Sequence, residues 1–382
     1  MIRDTLTPRP DWQAKVEALG LVWHAGADRP YWDESACYRF TAYEIDRIET
    51  ATIELYRLFL AAGEAVVSDP ALLTRFGIPP AFHDPVREAW EAEPPALNFG
   101  RFDLGFDGQD APKLFEFNCD TPTSLLEAAV VQWDWKSECF PALDQFNGLH
   151  EALVARWCEL APMLPATLHV AHVDDLSGED AITAAYLRDT AEAAGIATLP
   201  LLMEEIGWNH DDHCFVDGRD IPIEALFKLY PWEWLVHEGF APHLLDNLAR
   251  GDLLWIEPIW KMIWSNKAIL PVLWNLFPGH PNLLPASFTI PSGDAVAKPL
   301  LSREGANVSI RRADTIIAET AGDYGDEGYV YQSLYRLPEM APGCFPVIGS
   351  WIVDGAAAGM GIREGGLITS NTARFVPHVI DG

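Results

Sequence analysis

Residues 97–118 run LNFGRFDLGFDGQDAPKLFEFN, two segments alternating apolar and polar residues around a Gly/Asp turn. Period-two alternation flanking such a turn predicts a β-hairpin. Side chains on a strand point alternately to opposite faces. Phe102, Leu104 and Phe106 therefore share one face, and Arg101 and Asp103 the other. On the second strand Phe115 and Phe117 are expected on one face, with Glu116 and Asn118 opposite. A turn centred near Gly108-Gln109 sets Asp103 across from residue 115 or 116. One face then packs inward, while Arg101, Asp103, Glu116 and Asn118 gather on the other. Two carboxylates and an amide oxygen, with water and phosphate oxygens completing the shell, suit magnesium. A solvated hairpin face with one surface ion pair has the same pattern, so the pattern alone leaves both readings open. The next residues, FNCDTPTS (117–124), read as an Asp120 N-cap with proline in the first turn, and a helix is expected to about Trp135. A helix N-terminus beside a cation site can also hold an anionic substrate group.

Upstream, residues 39–63 have helical periodicity, with Ile45, Ile48, Leu55 and Phe59 near one stripe. Prolines break residues 70–96 into short helices and loops. Downstream the pattern alternates: strand 167–173, helix 179–194, strand 196–202, a hairpin around VDGR (216–219) and strand 225–230. That order predicts an α/β layer with parallel pairing. Residues 258–277 read as helical, and the last hundred residues as short strands, the final pair joined at Asp354-Gly355. The expected fold class is α/β with an α+β C-terminal part. Three regions are expected, packed as one unit: 1–160 with the hairpin, 161–255 as the α/β region, and 256–382.

Two further segments carry chemistry. In KPLLSREGANVSI (298–310) a strand ends in Lys298, and a turn with Arg303, Glu304 and Gly305 leads to a returning strand. A strand-end lysine and flexible backbone amides can hold phosphate oxygens, although a glycine in such a loop can equally serve only the turn. GDYGDEG (322–328) is a second glycine-rich segment able to fold over the same phosphates. In AAAGMGIREGGLIT (356–369) Arg363 sits among small residues that allow close approach, and Glu364 points to the opposite face.

The chain has 382 residues and a net charge of −30 at pH 7. So acidic a chain without a basic run repels nucleic acid; its charge serves solubility, and the functional alternative is attraction of cations, metal ions or amines. Only seven lysines occur, which makes Lys267 and Lys298 conspicuous. The six cysteines form no CxxC pair, which argues against structural zinc and a disulfide framework and for buried free thiols. His169 and His172 have opposite parity in one strand, and His210 and His213 flank two aspartates in a loop. Neither pair reads as a metal site. No window approaches about 18 consecutive apolar residues, and MIRDTLTPRPDW lacks a signal-like apolar core, so a soluble cytoplasmic protein without membrane partners is expected.

NFGRFDLGF, KLFEFNCDTPTSLLEAAVVQWDW, IEPIWKMIWSNKAILPVLWNLFP, KPLLSREGANVSI, YGDEGYVYQ and IGSWIVDGAAAGMGIREGGLITSNTARFVPH together resemble the glutathionylspermidine synthase family. The resemblance is dense over roughly 95–378 and lies with the stand-alone synthetase branch of acid–amine ligases. The amidase domain of the bifunctional members is not expected here. The resemblance implies an ATP-grasp-like synthetase fold. It also implies ATP and Mg2+ as cofactors, and coupling of ATP hydrolysis to amide formation between a small acid and a small amine. It implies that Asp103, Glu116 and Asn118 hold magnesium. Arg101 would serve the phosphoryl and acyl end, and Arg363 would be a mobile catalytic arginine. Lys267, Lys298, the Arg303-Glu304-Gly305 turn, Gln332 and Leu367-Ile368-Thr369 would contact ATP. Thr121 and Thr123 would meet the acid, and Glu179, Asp180 and Glu233 the amine. Thr121 and Thr123 stand where the bifunctional branch has serines, and KLYPWEW (228–234) matches loosely, so the acid and the amine stay unnamed. A non-catalytic nucleotide-binding protein of this fold and an ATP-grasp amino-acid ligase are the alternatives.

Overall fold

Helix Ala42–Val67 supplies the floor on which the hairpin rests. It starts in a capping box: Glu44 N–H donates to the Thr41 hydroxyl, and the Glu44 carboxylate accepts from the Thr41 N–H. The preceding residues Ala36–Phe40 are a strand, so the helix begins later than its periodicity suggests. Its buried stripe includes Ile45, Ile48, Leu55 and Phe59. Phe59 meets Phe102 and Phe117 edge-on at 5.5 and 5.1 Å, and those two rings stack on each other at 3.8 Å. Each buried phenylalanine contributes about 2–3 kcal/mol. Together they pin the apolar face of the hairpin to the helix and leave its polar face outward.

The computed structural model describes residues 1–25, 30–175, 178–312 and 315–382. Strands Phe99–Gly105 and Lys113–Asn118 pair antiparallel, with Asp103 directly opposite Glu116 and Arg101 opposite Asn118. A register shift after Asp103 puts Leu104 opposite Leu114. Phe115 consequently leaves the apolar face on which alternation placed it and lines the cleft beside Glu116. A β-bulge inserts one unpaired residue and changes which side the neighbouring side chains face.

This hairpin is the edge of a five-stranded antiparallel sheet completed by Phe345–Val353, Ala356–Gly365 and Arg374–Phe375. The hairpin and the C-terminal strands thus share hydrogen bonds across most of the chain length. A second antiparallel sheet is ordered Ala286–Ser287, Tyr329–Ser333, Ala295–Pro299, Ser309–Arg312, Thr315–Glu319. The middle third forms a parallel sheet, Leu254–Ile256, Ala225–Leu229, Leu168–His172, Thr198–Leu202, as the alternating pattern requires. The chain ends meet in a small sheet, where His378–Ile380 runs parallel to Ala36–Phe40 and Ile2–Thr5 antiparallel to it.

Several local expectations are corrected. Asp120 does not cap a helix. Its carboxylate accepts from Lys228 Nζ at 2.8 Å and from the Trp232 N–H at 2.7 Å. A fully buried lysine charge has a stronger claim on a carboxylate than a helix end that water can satisfy. Ser124 takes a left-handed conformation (φ 64°), and the helical segment starts only at Leu125. It passes through a π-turn at Glu127–Val131 and ends at Cys139, so no helix N-terminus stands at Asp120 to hold an anion. The helical stretch 258–277 is two helices, Lys261–Ser265 and Ile269–Leu276, broken at Asn266. The Asn266 amide donates to the Phe76 carbonyl, and its side-chain oxygen accepts from the Ala268 N–H. The expected reversal at VDGR is present, with Val216 bridged antiparallel to Pro222, the Asp217 N–H donating to the Ile221 carbonyl and the Ile223 N–H to the Phe215 carbonyl; a further hairpin, Gly207–Asn209 with Cys214–Val216, leads into it. Cys139 and Cys158 are exposed rather than buried. Among the described residues no helix is long and apolar enough to cross a membrane.

Candidate active site

A cleft of about 870 Å³ opens where the two antiparallel sheets and the ends of the parallel strands converge. Every candidate ligand-contacting residue lines it: Arg101, Asp103, Glu116, Asn118, Thr121, Thr123, Glu179, Asp180, Glu233, Lys267, Lys298, Arg303, Glu304, Gly305, Gln332, Arg363 and Leu367–Thr369.

The hairpin forms the centre. Arg101 Nε donates to Asp103 Oδ1 at 2.8 Å, and an Arg101 Nη donates to the Thr123 carbonyl at 2.5 Å. The other Asp103 oxygen accepts from Arg363, and also from Asn118 Nδ2 at 3.3 Å. Arg101 lies flat across the neighbouring strand because Gly349, paired with Asp103, has no side chain. Gly349 has no role in the sequence reading; an isolated glycine within a strand is the sequence signal of such close approach. Across the hairpin, Glu116 stands 3.0 Å from Lys267 Nζ. Burial alone would raise the Glu116 carboxyl, but Lys267, Lys298 and Arg363 outweigh it and hold it well below the usual carboxylate range.

The two lysines come from different elements. The helix break at Asn266 lets Lys267 turn into the cleft, where its backbone N–H donates to the Leu300 carbonyl and its Nζ to the Ser302 carbonyl. Lys298, at the end of strand Ala295–Pro299, donates to the Phe115 carbonyl at 2.9 Å and to Gln332 Oε1 at 2.8 Å. Gln332 in turn donates to the Leu114 carbonyl, so one side-chain pair links the two sheets. Burial pushes the Lys298 ammonium down to about 8; Glu116 opposes that shift and Lys267 adds to it. Val296, Ile310, Leu334 and Leu337 line the cleft beside Gln332.

The opposite wall is acidic. Burial raises the Glu179 carboxyl, against a hydrogen bond from the Thr123 side chain. Burial, with Asp175 and Glu179 nearby, pushes Asp180 up to about 6. Burial also raises Glu233, against Arg303. Arg303, expected at the nucleotide, lines the same cleft and in this structure reaches the acidic wall: it donates to the Thr121 hydroxyl and lies 3.4 Å from Glu233 Oε1. The Asp120–Lys228 pair behind Thr121 is a further feature missed in the sequence. KLYPWEW contained the lysine, but nothing local to it shows a partner 108 positions away.

The donor set fits a hard cation. Asp103, Glu116 and Asn118 share one sheet face, two as carboxylates and one as an amide, which here turns its Nδ2 to both carboxylates and would offer its oxygen to a cation after rotating. Glu116 stays ionised because cations surround it. Among the described residues no group of three or more His, Cys, Asp or Glu is placed to hold a metal ion; the set here has two carboxylates and an amide.

The sequence model of the family described as "Glutathionylspermidine synthase preATP-grasp" matches residues 3–381. The chain is 43% identical to a Haemophilus influenzae protein named "Putative acid--amine ligase", over 97% of each chain. It is 29% identical to the trypanothione synthetase of Crithidia fasciculata, over 81% of this chain and 51% of that protein. It is 27% identical to the bifunctional glutathionylspermidine synthetase/amidase of Escherichia coli, over 90% of this chain and 59% of that protein. The chain thus spans between half and three-fifths of these two longer relatives. Its fold is similar to the solved structure of a glutathione synthetase-like effector from Globodera pallida, with a TM-score of 0.55 at 11% identity over 98% of both chains.

Proposed function

This chain belongs to the glutathionylspermidine synthase family, and from that membership we propose that it is an ATP- and magnesium-dependent ligase of ATP-grasp type. It joins a carboxylate, glutathione-like or a peptide acid, to a polyamine-like amine. The observation that carries this reading is the division of one cleft. Arg101, Arg363, Lys267 and Lys298 surround the Asp103–Glu116 pair, and Glu179, Asp180 and Glu233 line the facing wall. The names of the relatives, acid–amine ligase and synthetases, agree with a ligase.

A carboxylate is a poor acyl donor because its leaving group is oxide. Transfer of a γ-phosphoryl group to it gives an acyl phosphate; the amine, after giving up its ammonium proton, attacks the acyl carbon, inorganic phosphate leaves, and the nitrogen sheds a second proton as the amide forms. Asp103, Glu116 and Asn118 would hold the magnesium ion, which when bound neutralises charge on the phosphate tail. Arg101 and Arg363 direct their guanidinium groups at the same point, where charge spreads over the transferring phosphoryl. Lys267 and Lys298 hold phosphate oxygens, and Gln332 with Leu367–Thr369 bounds the base end. Thr121 and Thr123 orient the acid. Glu179, Asp180 and Glu233 draw the protonated amine from solution. Loops 299–306 and 322–328 keep water from the acyl phosphate.

The test incubates the purified protein with ATP, Mg2+, glutathione and spermidine, then with pooled acids and amines. ADP release should require both an acid and an amine, and the product mass should be their sum less one water. Arg363→Ala should fold and lose about 10²–10³-fold in kcat. Phosphate release indifferent to every acid and amine, or equal in Arg363→Ala, overturns the reading.

A further inference from the structure

The loop 299–306 and the glycine-rich segment 322–328 form one strap. The Leu301 N–H donates to Glu327 at 3.3 Å, and the Tyr324 N–H to the Asn307 side chain at 3.1 Å. At the tip, Gly305 (φ 70°) lies so close to the 367–369 turn that a methyl group there would be 2.4 Å from the Thr369 carbonyl oxygen. From this strap Arg303 extends across the cleft to Thr121 and Glu233, its guanidinium 5.7 Å from the Trp234 ring centre. The strap is therefore tied to the acidic wall by one charged side chain. Glu233 is mostly buried, with a side chain 13% exposed, and Arg303 is its recorded ion-pair partner among the described residues.

A cationic amine seeking Glu233 meets a guanidinium already there. Two cations at one buried carboxylate repel, so one must leave. We propose that Arg303 is a latch: without amine it neutralises Glu233 and holds the strap across the cleft, and an amine entering at Glu233 displaces it. This rests on the ligase reading for the identity of the displacing group. Release of Arg303 leaves the strap without its tie to the acidic wall, so arrival of the amine is sensed by the strap.

The freed strap offers its own readout, because trypsin cleaves after arginine and cutting of a transiently opened segment tracks the open population. Cleavage between Arg303 and Glu304 is followed by mass spectrometry, with and without spermidine and with sodium chloride at matched ionic strength. In the wild type, spermidine should raise cleavage severalfold and salt should not. Glu233→Gln should be cleaved fast from the start and ignore spermidine. Thr121→Val, which removes the second tie, should be intermediate and keeps the test usable if Glu233→Gln does not fold. Slow cleavage in both variants, or no response of the wild type to spermidine, overturns the latch. ATP turnover is measured on the same samples. Acid- and amine-dependent turnover without a latch response overturns the latch alone, and a latch response without turnover overturns the ligase reading alone.

Discussion

A methyl group on Gly349 would lie 2.6 Å from Cδ of Arg101. The arginine that reaches Asp103 and the Thr123 carbonyl is thus seated on bare backbone of the next strand. Gly349→Ala should fold at a cost of about 1–3 kcal/mol from overpacking. Its kcat/KM should fall by about 10²-fold, because displacing a charged group by an ångström is enough for that. Steady-state kinetics beside a melting curve check this; unchanged kinetics in a folded variant contradict it.

Lys298 should set an alkaline limb. Burial pushes its ammonium down to about 8 from 10.5. The charge is present below that pH and lost above it, so KM for ATP should rise as pH passes about 8. Lys298→Arg, which keeps its charge, should move that limb to higher pH. The stability sign is opposite. Between about 8 and 10.5 the unfolded chain binds more protons, so the contribution of Lys298 to stability grows with pH there. A pH profile of KM in both proteins checks the first statement.

Asp180 should set an acid limb. Burial, Asp175 and Glu179 push it up to about 6, so its negative charge fades as pH falls through that value. KM for the amine should rise below about pH 6 in the wild type. In Asp180→Asn that component should be missing and KM high throughout. As for stability, the folded chain holds more protons than the unfolded one between 3.8 and about 6, so the Asp180 contribution declines as pH rises across that window. Kinetics at pH 5, 6 and 7 with spermidine as the amine would separate the two proteins.

Behind the cleft, Glu364 ties both ends of the chain to the strand that carries Arg363. Its buried carboxylate accepts from Arg3 at 2.6 and 3.1 Å, from the Tyr38 hydroxyl at 2.5 Å and from Arg374. Burial would raise it, but Arg3, Tyr38 and Arg374 hold it below its ordinary value of 4.5. That stabilisation is present above pH 4.5 and lost as pH falls through the lower folded value. Glu364→Gln leaves two arginines short of a charge and should cost about 3 kcal/mol. Urea unfolding at pH 7 measures the loss, which should shrink as pH falls below 4.5, where the unfolded chain takes up a proton that the folded carboxylate still refuses.

The hairpin's polar face was legible because strand parity is a local property: Arg101, Asp103, Glu116 and Asn118 sit two residues apart on paired strands, and apolar neighbours force the orientation. The helix Ala42–Val67, the parallel order of the middle third and the Asp354-Gly355 turn were legible for the same reason, since period and turn chemistry are written in consecutive residues. The bulge that turns Phe115 toward the cleft was not, because alternation continues through it unbroken. Nor was the fate of Asp120, whose capping pattern is sound locally but loses to a lysine 108 residues away.

Alone, then, the sequence determined which residues carry charge on which face of each strand, and through its ordered segments the family to which the chain belongs. Tertiary structure decided what those charges face. Only folding brings Lys267 through a helix break to Glu116, lays Arg101 over Gly349, and carries Arg303 across to Glu233. The physical reason is range. Backbone geometry couples neighbours within a few residues, whereas the pairing of buried charges depends on what the fold brings within a few ångströms.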